Sequence, residues 1–217
     1  MLLAHYYDEN PSGESDRRVI QTRVHGMDFF FTTDADVFSK KFLDFGSRTL
    51  LLAAIEDLSD AGRKKGKLLD IGCGYGPMGI ILKRVFPAME VTMVDINNRA
   101  VALARENAEA NGVKCVDVHQ SDGCSEVEGL YDVVVTNPPV RAGKKTVFSF
   151  YDGAFEHMAE GAFLYVVLQK KQGAPSTEKY LTEKFGNCSI IAKDSGYWIM
   201  KAVKGAAATE DSEASVE

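Results

Sequence analysis

The sequence predicts an α/β fold: a doubly wound, mostly parallel sheet of seven strands with an N-terminal hairpin and helix extension. From Lys67 onward, short apolar runs alternate with helical patterns, a glycine-rich turn joins the first run to the first helix, and acidic or amide side chains follow several runs. Alternating strands and helices are typical of a parallel sheet covered on both faces. Such sheets bind ligands at the carboxyl ends of their strands.

The first 66 residues have a different pattern. Arg17 to Val24 and Met27 to Thr32 alternate polar and apolar residues around His25-Gly26, which indicates a β-hairpin. A helix is expected from Gly46-Ser47 to about Leu58.

The core elements follow in regular order. The predicted strands run from Lys67 to Ile71, Glu90 to Val94, Val113 to His119, Tyr131 to Thr136, Ala162 to Leu168, Ser189 to Lys193 and Tyr197 to Val203. The predicted helices run from Met78 to Phe86, Asn98 to Ala110, about Thr146 to Met158, and about Thr177 to Phe185.

These patterns divide the chain into three parts. Residues 1–66 form a hairpin and helix packed on the core, residues 67–204 form the core, and residues 205–217 are small, polar and acidic, a composition that predicts a disordered tail. A chain of 217 residues with 45% hydrophobic content is enough for one α/β domain.

Composition excludes some function classes. No stretch reaches the ~20 apolar residues of a membrane span, and the N-terminus lacks a signal-peptide pattern, so we expect a cytoplasmic protein without membrane partners. The four cysteines lack Cys-x-x-Cys spacing and lie in or beside predicted buried strands. Reduced core thiols are therefore expected rather than disulfides or a metal site.

The net charge is −6, and the tail contributes four acids, so the body carries 25 bases against 27 acids, or −2. The chain is thus not a basic nucleic-acid binder overall. Local basic clusters remain at Arg141, Lys144 and Lys145, and at Lys170-Lys171. Contact with phosphates and ordinary solvated surface are both open interpretations of them.

The glycine turn is the first candidate binding motif. Gly72, Gly74 and Gly76 let the backbone approach a ligand closely, and Asp95 ends the next strand, where an acid can bind ribose hydroxyls. The segment from Gly74 to Gly79 also matches the dinucleotide pattern Gly-x-Gly-x-x-Gly. However, Asp70 at this turn would repel a pyrophosphate and favour a cationic ligand.

The tripeptide Asn137-Pro138-Pro139 ends the strand from Tyr131 to Thr136. The two prolines restrict the backbone from Thr136 to Val140. The Asn137 carboxamide oxygen and the Pro138 carbonyl can then accept hydrogen bonds from one planar amino group, such as that of guanine, adenine or cytosine. A strand-ending turn is the alternative interpretation.

In sequence order, Asp70-x-Gly72-x-Gly74-x-Gly76, Asp95, Ser121-Asp122-Gly123 and Asn137-Pro138-Pro139 resemble the class I S-adenosylmethionine-dependent methyltransferases. The resemblance implies a Rossmann-like fold and S-adenosylmethionine as cofactor. It assigns the glycine loop to the amino-acid part of the cofactor, Asp95 to the ribose and Asp122 to the adenine amine. Asp70, Ile96 and Gly123 are expected to bind the cofactor as well.

The segment from Thr33 to Leu51, together with residues Asn137 to Lys144, is similar to the RsmC-type 16S ribosomal RNA guanine-N2 methyltransferases in a short single-domain form. The similarity runs from about Tyr6 to Val203. Two features depart from that family: there is no room for the second, degenerate domain of longer members, and Val140 replaces an aromatic residue found in many relatives.

The resemblance implies ribosomal RNA or the small ribosomal subunit as partner, with the oligomeric state open. Asn137 and Pro138 would orient the amine, and Asn137 would also border the cofactor. Pro139, Val140, Arg141 and Lys144 would contact the substrate, while Phe38, Asp44, Gly46 and Ser47 would form a lid. Methylation of a protein glutamine or a small-molecule amine, and a non-catalytic cofactor- or RNA-binding module, are the alternatives.

Overall fold

The structure is a computed structural model that describes Glu9, residues 14–35, Val37 and residues 43–205. Its strands are β1 (Arg18–Val24), β2 (Met27–Thr33), β3 (Lys65–Ile71), β4 (Ala88–Asp95), β5 (Val116–Gln120), β6 (Tyr131–Thr136), β7 (Met158–Gln169), β8 (Ser189–Asp194) and β9 (Tyr197–Val203). Its α-helices are α1 (Phe45–Asp60), α2 (Pro77–Val85), α3 (Asn98–Ala110), α4 (Lys144–Glu156) and α5 (Ala174–Phe185). Short 3₁₀ turns occupy Val140–Ala142 and Lys170–Gln172.

Seven strands form the central sheet in the order β5-β4-β3-β6-β7-β9-β8. The first five strands of this order pair in parallel, and β9 is antiparallel to both of its neighbours. The predicted fold class, a mostly parallel seven-stranded α/β sheet, is therefore confirmed. The order reverses between β3 and β6, and such reversals open a crevice at the carboxyl ends of the strands.

Alternate residues of the strands supply two hydrophobic layers. On one face, Leu68 and Val133 belong to a buried cluster that includes α1, α2 and α3. On the other face, Leu69 and Val134 belong to a cluster that includes α4 and α5. Because both faces are covered, the central strands are apolar throughout rather than alternating.

The hairpin β1-β2 is a separate two-stranded sheet fastened to α3. The Asn111 carboxamide accepts from the Phe30 amide at 3.0 Å and donates to its carbonyl at 2.7 Å. Asn107 makes the same pair of bonds with Thr32, at 2.7 and 2.9 Å. Two side chains, one on α3 and one on the residue that caps its C-terminus, thus satisfy the edge of β2 as a neighbouring strand would.

Most elements match their predicted positions, and two details differ. Helix α4 begins at Lys144, immediately after the left-handed Gly143, rather than near Thr146. Cys115 is exposed, so its assignment as a core thiol is wrong. The physical reason is that the chain turns there, with a positive φ of 57°, before β5 begins at Val116.

Within the described part of the chain, no helix has the length and apolar character needed to cross a bilayer. The acidic tail beyond Gly205 lies outside the described residues.

Candidate active site

The glycine loop crosses from β3 to α2 close to the end of β4. The amides of Gly72 and Cys73 both donate to the Val94 carbonyl at 2.9 Å. Gly76 has a φ of 90°, and a side chain there would lie 3.1 Å from the Ala104 methyl group. Glycine is required at this position because the left-handed backbone and the close approach of α3 both exclude a Cβ atom.

Asp95 lies at the end of β4 and ties the loop to the cavity. Its two carboxylate oxygens accept from the Gly74 amide at 2.8 Å and from the Asn97 amide at 2.9 Å. Burial raises the pKa of Asp95 to about 6, although these backbone hydrogen bonds oppose the increase. An environment of this kind favours a ligand that brings hydroxyl donors or positive charge to the carboxylate.

Asp70 is fully buried below the loop and does not line the cavity. One carboxylate oxygen accepts from the Gly79 amide at 2.9 Å, and the other has no hydrogen-bond partner among the described residues. Burial, with a further contribution from the nearby Asp95 charge, raises the pKa of Asp70 to about 7. The structure therefore places Asp70 where it supports the loop and α2 from behind.

A cavity of about 750 Å³ opens at the carboxyl ends of the parallel strands. Most of the residues predicted for cofactor or substrate binding line it: Gly72, Gly74, Asp95, Ile96, Asp122, Gly123, Asn137, Pro138, Pro139, Val140 and Arg141. Asp70, Gly76 and Lys144 are not in its wall. A volume of this size is within the range of small-molecule and cofactor sites.

Hydrogen bonds fix the Asn-Pro-Pro corner, the turn Asn137-Pro138-Pro139 that follows β6. The Thr136 hydroxyl donates to the Ile71 carbonyl on β3 at 2.8 Å. The Pro138 carbonyl accepts from the Val140 amide at 2.9 Å across Pro139, whose φ of −75° and ψ of 81° are those of an inverse γ-turn. This turn fixes the direction of the Pro138 carbonyl, which retains a second lone pair for a ligand.

The orientation of the Asn137 carboxamide follows from its partners on α1. Its NH₂ group donates to the Ser47 hydroxyl at 3.0 Å and to an Asp44 carboxylate oxygen at 3.3 Å. The same Asp44 oxygen caps α1 by accepting from the Ser47 amide at 2.9 Å. A carboxylate that caps a helix is an acceptor, so the amide must present its NH₂ group to it. The Asn137 oxygen is then left for another donor.

The predicted lid residues have different positions. Asp44 and Ser47 line the cavity and contact Asn137, whereas Phe38 lies outside the described residues. Gly46 does not line the cavity but packs under Tyr197, where a Cβ atom would lie 2.7 Å from the Tyr197 ring. Gly46 thus allows the start of β9 to approach the start of α1.

The two basic residues after the corner, Arg141 and Lys144, differ in their relation to the cavity. Arg141 is exposed and lines the cavity. Lys144 begins α4, and its ammonium group lies 4.9 Å from the centre of the Phe148 ring. Both positions follow the carboxyl end of β6.

Sequence patterns missed several residues of the wall. Val167, Leu168 and Gln169 come from the end of β7, Tyr197 from the start of β9, and Phe150 from α4. Gln169 ends an apolar strand, β7, and Asn137 comes directly after one, β6, so the strand-end rule could have identified Gln169. Tyr197 is the first residue of β9. It reaches this end of the sheet only because β9 is antiparallel, and local sequence patterns do not specify the direction of a strand.

The model of the methyltransferase small domain matches residues 28–201 of the chain. The chain is 44% identical over 205 residues to the uncharacterized protein YbxB of Bacillus subtilis (strain 168), covering 94% of this chain and 100% of that protein. It is 31% identical over 170 residues to ribosomal RNA small subunit methyltransferase C of Serratia proteamaculans (strain 568), covering 76% of this chain and 46% of the relative.

A solved structure of similar fold is the T. thermophilus 16S rRNA N2 G1207 methyltransferase (RsmC) in complex with AdoMet and guanosine. It matches with a TM-score of 0.79 and 28% identity, over 89% of this chain and 52% of that one. The chain thus spans about half the length of the two methyltransferases, and nearly the whole of YbxB.

Proposed function

The chain belongs to the methyltransferase small-domain family, and from that premise we propose that it methylates an exocyclic amino group, the N2 amine of a guanine in small-subunit ribosomal RNA. It is an S-adenosylmethionine-dependent methyltransferase, as its family and its structural similarity to an AdoMet-bound relative show. The proposal concerns its substrate, the guanine amine.

The residues of the cavity fit this cofactor. A side chain added at Gly74 would have no atom within 4 Å, so the loop leaves open space beside Asp95. The Asp95 carboxylate accepts from the backbone amides of Gly74 and Asn97, and its remaining lone pairs can accept from the hydroxyls of a ribose. When bound, the cofactor supplies an electrophilic methyl group on a positively charged sulfur. Partly buried carboxylates stabilise such a charge.

The orientation of Asn137 is the observation that carries the proposal. With its NH₂ group held by Asp44 and Ser47, the amide oxygen remains available to accept a hydrogen bond from a ligand in the cavity that Asn137 lines. This oxygen and the Pro138 carbonyl provide two acceptors for the two N–H bonds of one planar amine. Positioning of this kind can supply much of the rate of an amine methylation, because the nitrogen lone pair needs orientation rather than activation.

The relatives support RNA as the substrate class. Two proteins similar over most of this chain are named as small-subunit ribosomal RNA methyltransferases, and one was solved with guanosine. Arg141, which lines the cavity and is exposed, can contact a phosphate of an extended RNA substrate.

Incubation with tritiated S-adenosylmethionine and three separate substrates tests the proposal. The substrates are small ribosomal subunits, protein-free ribosomal RNA and total cellular protein. The proposed function predicts label in RNA, presented free or in the subunit. Label confined to protein would instead favour the glutamine alternative, and cofactor binding without transfer to any fraction would favour a non-catalytic module.

The Asn137→Ala variant tests the role assigned to Asn137. It removes one acceptor of the amine, and we expect turnover to fall by a factor on the order of 100 or more, with cofactor affinity near that of the wild type. Turnover that is unchanged in this variant would refute the assignment of Asn137.

A further inference from the structure

A second carboxamide lines the same cavity, and the amine chemistry leaves it unused. Gln169 is the last residue of β7 and forms part of the cavity wall. Its Oε1 atom is buried and has no hydrogen-bond partner in the described ranges of the chain. Leaving a buried acceptor without a hydrogen bond costs free energy. At the wall of a binding cavity, this cost indicates that a ligand donor meets the oxygen.

The register of the sheet relates Gln169 to Asn137. Thr136 of β6 is paired with Val166 of β7, so Asn137 lies one residue and Gln169 three residues beyond that pair. With a rise of about 3.3 Å per residue and a strand spacing of about 4.8 Å, their Cα atoms are roughly 8 Å apart. Two carboxamides at this separation can contact adjacent groups on one edge of a planar base.

Tyr197 forms the neighbouring part of the wall. It is paired with Gln169 across β7 and β9, so the two side chains leave the same face of the sheet. Its ring packs on Gly46 and lies 5.7 Å from the ring of Phe45. The Tyr197 ring, packed beside Gln169, provides an apolar surface on which a base can lie. Such a surface matters here because Val140, after the second proline, offers no ring for stacking.

The hydrogen-bonding groups of guanine match this arrangement. Beside its N2 amine, guanine presents the N1–H donor and then the O6 acceptor, and a glutamine presents one acceptor and one donor. Adenine and cytosine instead present a ring-nitrogen acceptor beside their amine, which would face the Gln169 oxygen without a hydrogen.

We propose that Gln169 selects guanine, accepting from N1–H through Oε1 and donating to O6 through Nε2. This inference rests on the proposed amine chemistry and adds the residue that determines the base. A site built to hydrogen-bond a substrate group rejects analogues that lack the group more strongly than an apolar pocket does.

Nucleoside binding to the full chain, saturated with S-adenosylhomocysteine, tests this role. Guanosine is compared with 2-aminopurine riboside, which keeps the amine but has neither N1–H nor O6. With two hydrogen bonds at stake, wild type should bind guanosine tighter by a factor on the order of 10–100. Gln169→Met, similar in shape but without these groups, should reduce that ratio toward 1. Gln169→Leu is the second variant, should methionine disturb the fold.

The control is Gln21→Leu, an exposed glutamine on β1, which should keep the wild-type ratio. S-adenosylhomocysteine affinity is measured for every variant to show that the cavity is formed. A guanosine preference that survives in both Gln169 variants overturns the inference and leaves the amine chemistry standing. A wild type that binds the two nucleosides equally also overturns it. If the wild type binds neither nucleoside at millimolar concentration, the proposal that guanine is the substrate base is overturned, and the role of Gln169 with it.

Discussion

Asp70→Asn should change how the stability of the ligand-free protein depends on pH. Burial, with a contribution from the Asp95 charge, raises the pKa of Asp70 from 3.8 to about 7 in the folded state. Between these values the folded protein holds a proton that the unfolded chain has lost, so stability falls as the pH rises from about 4 to about 7. About three pH units at ~1.4 kcal/mol each give a loss of roughly 4 kcal/mol.

Asparagine cannot ionise, so the variant should lack this loss. Any effect of the new amide on local hydrogen bonds is the same at each pH and cancels in the comparison. Urea unfolding of both proteins at pH 4.5 and pH 8 measures the difference. The free energy of unfolding of Asp70→Asn, relative to wild type, should increase by roughly 3 kcal/mol between these pH values.

The control is Asp28→Asn, at an exposed position on the hairpin, which should follow the wild-type dependence. Parallel pH dependences for wild type and Asp70→Asn would refute the reasoning, because they would mean that the Asp70 carboxylate is solvated or paired in solution.

Three further predictions concern the cavity. Ser47→Ala frees one N–H of the Asn137 amide and should lower kcat about 5–10-fold in steady-state assays, with the cofactor KM unchanged. The affinity for S-adenosylmethionine, measured by calorimetry, should fall as the pH drops below about 6, because protonation of Asp95 removes its charge and an acceptor; Asp95→Asn should lose this dependence. Gly76→Ala should destabilise the protein by about 2 kcal/mol or more in urea unfolding, since strain at positive φ adds to the contact with Ala104.

Matched variants separate these effects from general disruption. Thr49→Ala removes another α1 hydroxyl, one bonded to the Phe45 carbonyl, and should leave kcat unchanged. Gly112→Ala has a similar positive φ of 65° but open space around the new methyl group, so it should cost less than Gly76→Ala. Equal effects within either pair would contradict the specific contacts proposed.

Much of the fold was predictable because local patterns carry it. Apolar runs and helical periodicity located the elements, and the strand-end rule placed Asp95 and Asn137 at one edge of the sheet. The contact between Asn137 and Asp44 was not predictable in this way, since it joins residues 93 positions apart through the docking of α1. Asp70 was interpreted as a cavity residue from its motif, but the side-chain direction at the end of β3 places it behind the loop.

The most direct test of the central claim is the identity of the methylated nucleoside. Small-subunit RNA labelled by the wild-type protein is digested to nucleosides and separated by liquid chromatography with mass detection. The account predicts that the label is in N2-methylguanosine and is lost by a factor on the order of 100 or more with Asn137→Ala. Label on a ring carbon or a ribose oxygen, or in another base, would contradict the claim that the Asn137-Pro138 corner presents a guanine amine to the cofactor.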